Sequence, residues 1–69
     1  MGQMNKELEV LLDEAIDNYN ELVSEADHLW WWDVLNSIND LSNDEDVIRT
    51  IIGIEKLTEK LQRKHAAGY

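Results

Sequence analysis

The sequence contains no cysteine and no proline, and each absence excludes a class of structure or chemistry. Without cysteine there can be no disulfide, no thiolate zinc cluster and no cysteine nucleophile. Without proline, and with no glycine from Gln3 to Ile52, nothing interrupts long helices. A domain of this size buries only about 60% of its unfolded surface, so we expect self-association or a bound partner to stabilise it.

The chain also lacks a long apolar segment. No run approaches the roughly eighteen apolar residues that a membrane span requires. Residues 1–6 lack the apolar stretch of a signal peptide. We therefore expect a cytoplasmic protein that does not enter a membrane.

Basic residues are scarce in the first two thirds of the chain. Residues 1–46 contain thirteen acidic side chains against Lys6 alone, a net charge of −12, whereas residues 47–69 carry five basic and two acidic side chains, a net charge of +3. The formal total is −9. Such a field repels nucleic acid and anionic membranes, so we expect a basic protein partner and no direct contact with nucleic acid or membrane.

Apolar spacing predicts helices throughout. The first stripe, with residues alternately four and three apart, is Leu8, Leu12, Ala15, Tyr19, Leu22, Ala26 and Leu29. It predicts a helix over residues 4–25. A second stripe on almost the opposite face is Trp31, Val34, Leu35, Ile38 and Leu41. This change favours a break between Ser24 and Leu29, capped by Ser24 or Asp27, over one helix spanning residues 4–41.

The last third of the chain predicts one further long helix. Ser42 and Glu45 have the spacing of a capping box, which predicts a helix over residues 43–65. Its expected core face is Val47, Ile51, Ile54, Leu57 and Leu61, and its expected basic stripe is Arg49, Lys56, Lys60 and Arg63. Ile48 and Ile52 lie outside the core face and indicate a contact between subunits.

These patterns together predict an all-α chain of three helices. The two long helices are expected to be antiparallel, with a short tryptophan-rich helix between them. We expect one domain over residues 1–69, with frayed ends at 1–3 and 66–69, that associates as a homodimer.

Three consecutive tryptophans lie in the middle of the chain. Successive helical residues are rotated by about 100°, so Trp30, Trp31 and Trp32 cannot all face one core. Trp31 continues the second stripe, and with Ile48 and Ile52 it is assigned to self-association. Trp30 and Trp32 are predicted partner-binding residues because exposed indoles anchor interfaces. A non-helical corner that turns all three indoles inward is the alternative.

Acidic residues form a row on the first helix, opposite its leucines. Asp17, Glu21 and Glu25 recur every four residues, or about 6 Å along a helix axis. With Asp13 and Glu14 they are the predicted binding residues for a basic groove that otherwise holds nucleic acid. Two other interpretations remain open: the face is only solvated, or the basic stripe of a second chain neutralises it.

Motifs for chemistry are almost absent. Glu25 and His28 have the Glu-x-x-His spacing of di-iron bundles, but the further inward-facing glutamates of such a site are missing. The acidic loop from Asp40 lacks the glycine and the final glutamate of a calcium loop. We therefore predict no catalytic residues, no metal, no cofactor and no enzymatic activity.

In composition, the chain resembles the very small acidic helical proteins that viruses and mobile elements encode to inhibit host enzymes. No motif matches a known family, so this likeness of composition favours an inhibitor without locating its site. Together with the acidic row, it leads us to expect a non-enzymatic inhibitor that blocks a basic surface of a host protein, as a DNA mimic does. The alternative function is a structural or adaptor subunit whose acidic face only keeps a helical assembly soluble.

Overall fold

A computed structural model describes the backbone of residues 3–66 and the side chains of residues 3–64. Three α-helices follow one another along the chain: α1 at Lys6–Asn20, α2 at Trp31–Ser37 and α3 at Asp44–Ala66. One turn of 3₁₀ helix, Glu25–Asp27, lies between α1 and α2, and no strand occurs within residues 3–66. The predicted all-α fold of three helices is confirmed.

The first helix begins at a side-chain cap and ends earlier than predicted. Asn5 is the N-cap, and its Oδ1 accepts a hydrogen bond from the backbone N–H of Glu7 at 2.8 Å. This bond satisfies one of the free donors of the first helical turn. The prediction of a helix over residues 4–25 is wrong at its C-terminal end, because α1 ends at Asn20.

The side chain of Asn20 fixes the connection that follows. Its Nδ2 donates to the carbonyl oxygen of Leu29 at 2.9 Å, and its Oδ1 accepts from the Leu29 N–H at 2.7 Å. These two bonds hold the returning chain against the end of α1. The predicted break between Ser24 and Leu29 falls inside this connection, so residues 4–41 contain two helices, as favoured from the sequence.

The third helix begins at a different cap from the one predicted. The Oδ1 of Asn43 accepts from the N–H of Glu45 at 3.0 Å, so Asn43 caps α3. Ser42 bonds to Asp40 Oδ1 instead, through its hydroxyl at 2.6 Å and its N–H at 3.0 Å. The predicted capping box is therefore wrong, and Ser42 holds the pKa of Asp40 below its ordinary value of 3.8, first through its hydroxyl and then through its N–H.

The core is small and takes side chains from all three helices. Its buried members are Leu12, Ala15, Ile16, Val34, Ile38, Val47, Ile51 and Ile54. Leu57, predicted to belong to the core, is 49% exposed, whereas Thr58 is 7% exposed. The Thr58 hydroxyl donates to the carbonyl oxygen of Ile54 at 3.0 Å, which offsets the cost of burying it.

The two long helices run in the same direction, so the antiparallel prediction is wrong. Met4, just before α1, lines the same cavity as Leu41, just before α3. Further along, Asn18 of α1 lines a second cavity with Glu55 and Gln62 of α3. The chain reverses once before α2 and once after it, and two reversals restore the original direction. The prediction had treated the long helices as one hairpin.

Most of the predicted frayed ends lie outside the described residues. Of residues 1–3 and 66–69, only Gln3 and Ala66 are described. Gln3 lies before α1, and Ala66 is the last residue of α3.

Candidate interaction surfaces

The three tryptophans have three different environments. Trp30 is the N-cap of α2 with extended backbone angles (φ −101°, ψ 137°) and is 56% exposed. Its ring meets the imidazole of His28 edge to face, with the ring centroids 6.1 Å apart. Trp32 is 75% exposed and carries the most exposed large apolar side chain described. Two of the three indoles therefore leave the core, and their role as partner anchors stays a prediction.

Trp31 packs inward against its own chain. It is partly buried against the core, and it lines the cavity between α1 and α2 with Met4 and Leu35. This agrees with its place in the second apolar stripe. Its predicted part in self-association remains a prediction, limited to the portion of the ring that stays exposed.

The acidic row on the first helix is displaced from its predicted position. Asp17 lies in α1, and Glu21 caps its C-terminus with helical angles (φ −67°, ψ −22°). Glu25 belongs to the separate 3₁₀ turn. Because a four-residue spacing keeps side chains on one face only along a continuous helix, the row runs from Asp13 through Asp17 to Glu21 and does not include Glu25.

The acidic face of α1 is exposed and has no ion-pair partner within the described part of the chain. Its members are Glu7, Asp13, Glu14, Asp17 and Glu21, all exposed. Among the side chains of residues 3–64, the one ion pair joins Arg63 Nη2 to Glu59 Oε1 at 2.6 Å, within α3. No ion pair within residues 3–64 therefore neutralises the charge of the acidic face.

Val10 adds an apolar centre to this face. It is 57% exposed, and it precedes Asp13, Glu14 and Asp17 by three, four and seven residues, which places all four side chains on one side of the helix. The sequence reasoning did not single it out. The available signal was that Val10 lies outside the first apolar stripe although it is a large apolar residue.

Trp32 and the acidic row lie on the same side of the bundle. Glu9 lines the cavity with Trp31 and Leu35, and Asn20 binds Leu29, so both mark the side of α1 that faces α2. Asp13 lies four residues after Glu9 and seven before Asn20, on that same side. Trp31 and Leu35 face α1, and Trp32 lies three residues before Leu35, on the exposed surface of α2 next to that side.

A second exposed surface lies along the seam between α1 and α3. Ile48 and Ile52 are exposed, and they continue the helical row of Glu55 and Glu59, which line the cavity with α1. Leu11, also exposed, precedes Ala15 of the same cavity by four residues. Because α1 and α3 are parallel, Leu11, Ile48 and Ile52 form one surface, here called the α1–α3 apolar patch.

A third surface is an open apolar groove of about 470 Å³ between α2 and α3, here called the α2–α3 groove. Its lining residues are Leu29, Val34, Ser37, Thr50, Gly53, Ile54 and Leu57. None belongs to α1, so the groove opens on the side away from the acidic face. The sequence reasoning missed it, because Leu57 was assigned to the core.

No protein-family model, curated protein or solved structure matches this chain. No helix within the described residues is both long and apolar enough to cross a membrane. Among those same residues, no three histidine or carboxylate side chains come together to hold a metal ion. The features that bear on function are therefore three surfaces: the acidic face of α1, the α1–α3 apolar patch and the α2–α3 groove.

Proposed function

We propose that this chain is a non-enzymatic, cytoplasmic protein-binding module of the inhibitor type found in viruses and mobile elements. Its acidic face covers a basic surface of a host protein and competes there with nucleic acid. Trp32 anchors the contact beside the row of carboxylates. The observation that carries the proposal is that the acidic face lies on a regular helix, is exposed, and has no basic partner within the described chain.

The spacing of the carboxylates supports a shared electrostatic contact. Asp13, Asp17 and Glu21 recur about every 6 Å along the axis, which is shorter than the Debye length of about 8 Å at physiological salt. A basic side chain near one of them therefore feels its neighbours as well. A nucleic-acid strand carries one charge per about 3.4 Å, so this row has about half that density before Glu7 and Glu14 are added.

Trp32 supplies what charge alone does not. An exposed ion pair contributes little affinity, about 0.2–1 kcal/mol. A tryptophan buried at an interface contributes more, about 2 kcal/mol or above when it is a hot spot. Carboxylates steer and orient the complex, and the indole holds it. Because Trp32 and Asp13 are both exposed and helical spacing puts them on the same side of the bundle, one partner surface can contact both.

The first test is direct competition. A basic nucleic-acid-binding protein captured from host lysate is loaded with labelled DNA or RNA, and release of the label is measured as this protein is added. Replacing Asp13→Asn, Asp17→Asn and Glu21→Gln together should abolish release while preserving helicity. Wild-type competition should weaken as salt rises, because its energy is largely electrostatic.

A matched variant controls for net charge. Glu25→Gln, Asp27→Asn and Asp33→Asn remove the same amount of charge from positions outside the row, so this variant should compete like the wild type. Equal loss of competition in both triple variants would mean that net charge alone, and not the row, causes the competition. Simultaneous binding of nucleic acid and this protein to the partner would contradict the proposal outright.

An adaptor role is the second candidate, favoured by the α1–α3 apolar patch and the α2–α3 groove. An inhibitor that acts through the acidic face of α1 and Trp32 needs neither surface. In an adaptor, one side of the bundle joins a second copy while another receives a different protein.

A further inference from the structure

We propose that the α2–α3 groove binds an amphipathic helix from another protein, and that this helix carries acidic residues along one edge. This second contact goes beyond the proposed function. It uses a different side of the bundle from the acidic face. Its partner is acidic, whereas the partner in the proposed function is basic.

The floor and walls of the groove suit an apolar helix face. Val34 and Ile54 form a buried floor, while Leu57 is half exposed beside it. At Gly53 a Cβ atom would meet nothing within 4 Å, so the α3 wall is open at its centre. The seven residues of α2 span about 10 Å, which is the distance between positions i and i+7 of a docked helix.

Basic side chains follow the α3 edge of the groove. Gly53 and Leu57 line this edge. Lys60 and Lys64 follow Gly53 by seven and eleven residues, which places them on the same face of α3. Arg49 and Lys56 lie beside the same row, and all four basic side chains are exposed. None of the four forms an ion pair with another described side chain. This set, Arg49, Lys56, Lys60 and Lys64, is called the basic rim.

Acidic groups limit the basic character to one part of the groove. Asp46 precedes Thr50 by four residues and marks the N-terminal end of the α3 edge. Asp33 lies four residues before Ser37, which lines the groove, so it is on the α2 edge. The basic charge is therefore concentrated beside Leu57, toward the C-terminal half of α3. A partner helix complementary to this arrangement is acidic on the edge that meets Lys60 and Lys64.

The overall charge of −9 does not prevent such a contact. The bundle measures 21 and 17 Å across its two short axes, whereas the Debye length at physiological salt is about 8 Å. The acidic face lies on the other side of the bundle, so its field is largely screened at the groove. The nearby basic rim decides which charge is attracted there.

A second copy of the chain fits the groove poorly. Two grooves placed face to face would bring two basic rims together, which is repulsive. Docking the acidic face of one chain into the groove of the next would join opposite sides of the molecule, and such head-to-tail contacts generate rings or open filaments rather than two-fold dimers. A separate acidic helix satisfies the groove without either problem.

The test compares two sets of labelled amphipathic helical peptides that share a leucine stripe and differ only in flanking residues, glutamate in one set and lysine in the other. Fluorescence anisotropy should show at least about tenfold tighter binding of the glutamate set. Gly53→Leu should abolish binding because the new side chain fills the groove, while Gly53→Ala should retain it. Both substitutions raise helix propensity, so unfolding does not explain a loss.

Charge reversal makes the test specific. Lys60→Glu with Lys64→Glu should invert the preference toward the lysine set. The control Lys6→Glu with Asn18→Asp and Gln62→Glu makes an equal change of charge at exposed positions away from the basic rim and should not invert it. Failure to bind either set, equal binding of both, or binding that survives Gly53→Leu would overturn the proposal. Loss of self-association in Gly53→Leu, measured by sedimentation, would also overturn it by assigning the groove to a second copy.

Discussion

At the scale of single residues, the three tryptophans show how one residue type acquires three roles within a few ångströms of chain. Helix α2 begins at Trp31, so the extended backbone of Trp30 turns its indole away from the helical face. Trp31 points toward α1, and one further step of about 100° carries Trp32 out to solvent. The exposed area of these two indoles lowers solubility and does not stabilise a monomer.

We expect Trp32→Ala to separate binding from folding. The substitution should weaken the partner complex by about 2 kcal/mol or more, as at interface hot spots, and leave the melting temperature nearly unchanged because Trp32 is exposed. Trp31→Ala is the matched control. It should lower stability by at least about 1 kcal/mol, since it removes partly buried contacts with the core.

Calorimetric titration with the captured partner, together with thermal unfolding, measures both quantities. If Trp32→Ala unfolds the protein as readily as Trp31→Ala, Trp32 supports the fold and the anchor assignment fails. Unchanged affinity in a stable Trp32→Ala variant would also contradict the proposal.

At the scale of helices, the start of α3 depends on one amide side chain. Asn43 Oδ1 accepts the Glu45 N–H, whereas Ser42 bonds to Asp40 outside the helix. We therefore expect Asn43→Ala to destabilise the protein by about 1 kcal/mol, the usual effect of losing an N-cap. Ser42→Ala should cost less and should instead raise the pKa of Asp40 toward its ordinary value.

Urea denaturation of the two variants gives their difference in unfolding free energy, and NMR titration follows the Asp40 carboxyl. A larger loss of stability in Ser42→Ala than in Asn43→Ala would restore the capping box predicted from the sequence.

The sequence predicted helices better than it predicted their ends. Apolar periodicity placed α1, α2 and α3 because each helix must bury one stripe. The end of α1 depends on the bonds between Asn20 and Leu29, nine residues apart, which no local pattern reveals. Thr58 was overlooked as a core residue because its hydroxyl is polar, although the helix itself satisfies that hydroxyl.

The candidate surfaces were predicted in the same uneven way. The exposure of Trp32 and of the acidic face follows from helical periodicity within single elements. The α1–α3 apolar patch and the α2–α3 groove depend instead on how elements are arranged. With α1 and α3 taken as antiparallel, Leu11 is not placed beside Ile52, and with Leu57 assigned to the core there is no groove.

At the scale of the whole molecule, opposite sides of the bundle carry different chemistry. The acidic face lies on the outer side of α1, while the α2–α3 groove and the basic rim lie away from it. This segregation follows from packing. Helix α3 meets α1 through the face of Glu55 and Gln62 and meets α2 through the face of Thr50 and Leu57, so the acidic face of α1 and the basic rim of α3 belong to separate outer surfaces.

The described surface of the single chain includes apolar side chains that its core does not cover. Leu11, Ile48 and Ile52 are exposed together. Self-association through the α1–α3 apolar patch would cover these side chains and add to a small core.

We therefore expect the wild-type protein to sediment as a dimer at micromolar concentration and to dissociate in the double variant Ile48→Lys, Ile52→Lys. Both isoleucines are exposed in the single chain, so their substitution removes an intermolecular contact without opening the core. Lysine also lowers the net negative charge, so general repulsion between chains cannot explain dissociation.

Leu57→Lys changes an equally exposed apolar residue in the α2–α3 groove and should leave the dimer intact. A monomeric wild type would refute the prediction, and dissociation by Leu57→Lys alone would transfer the dimer contact to the groove. Because each site has its own substitution, sedimentation of the three proteins assigns the contact to one side of α3.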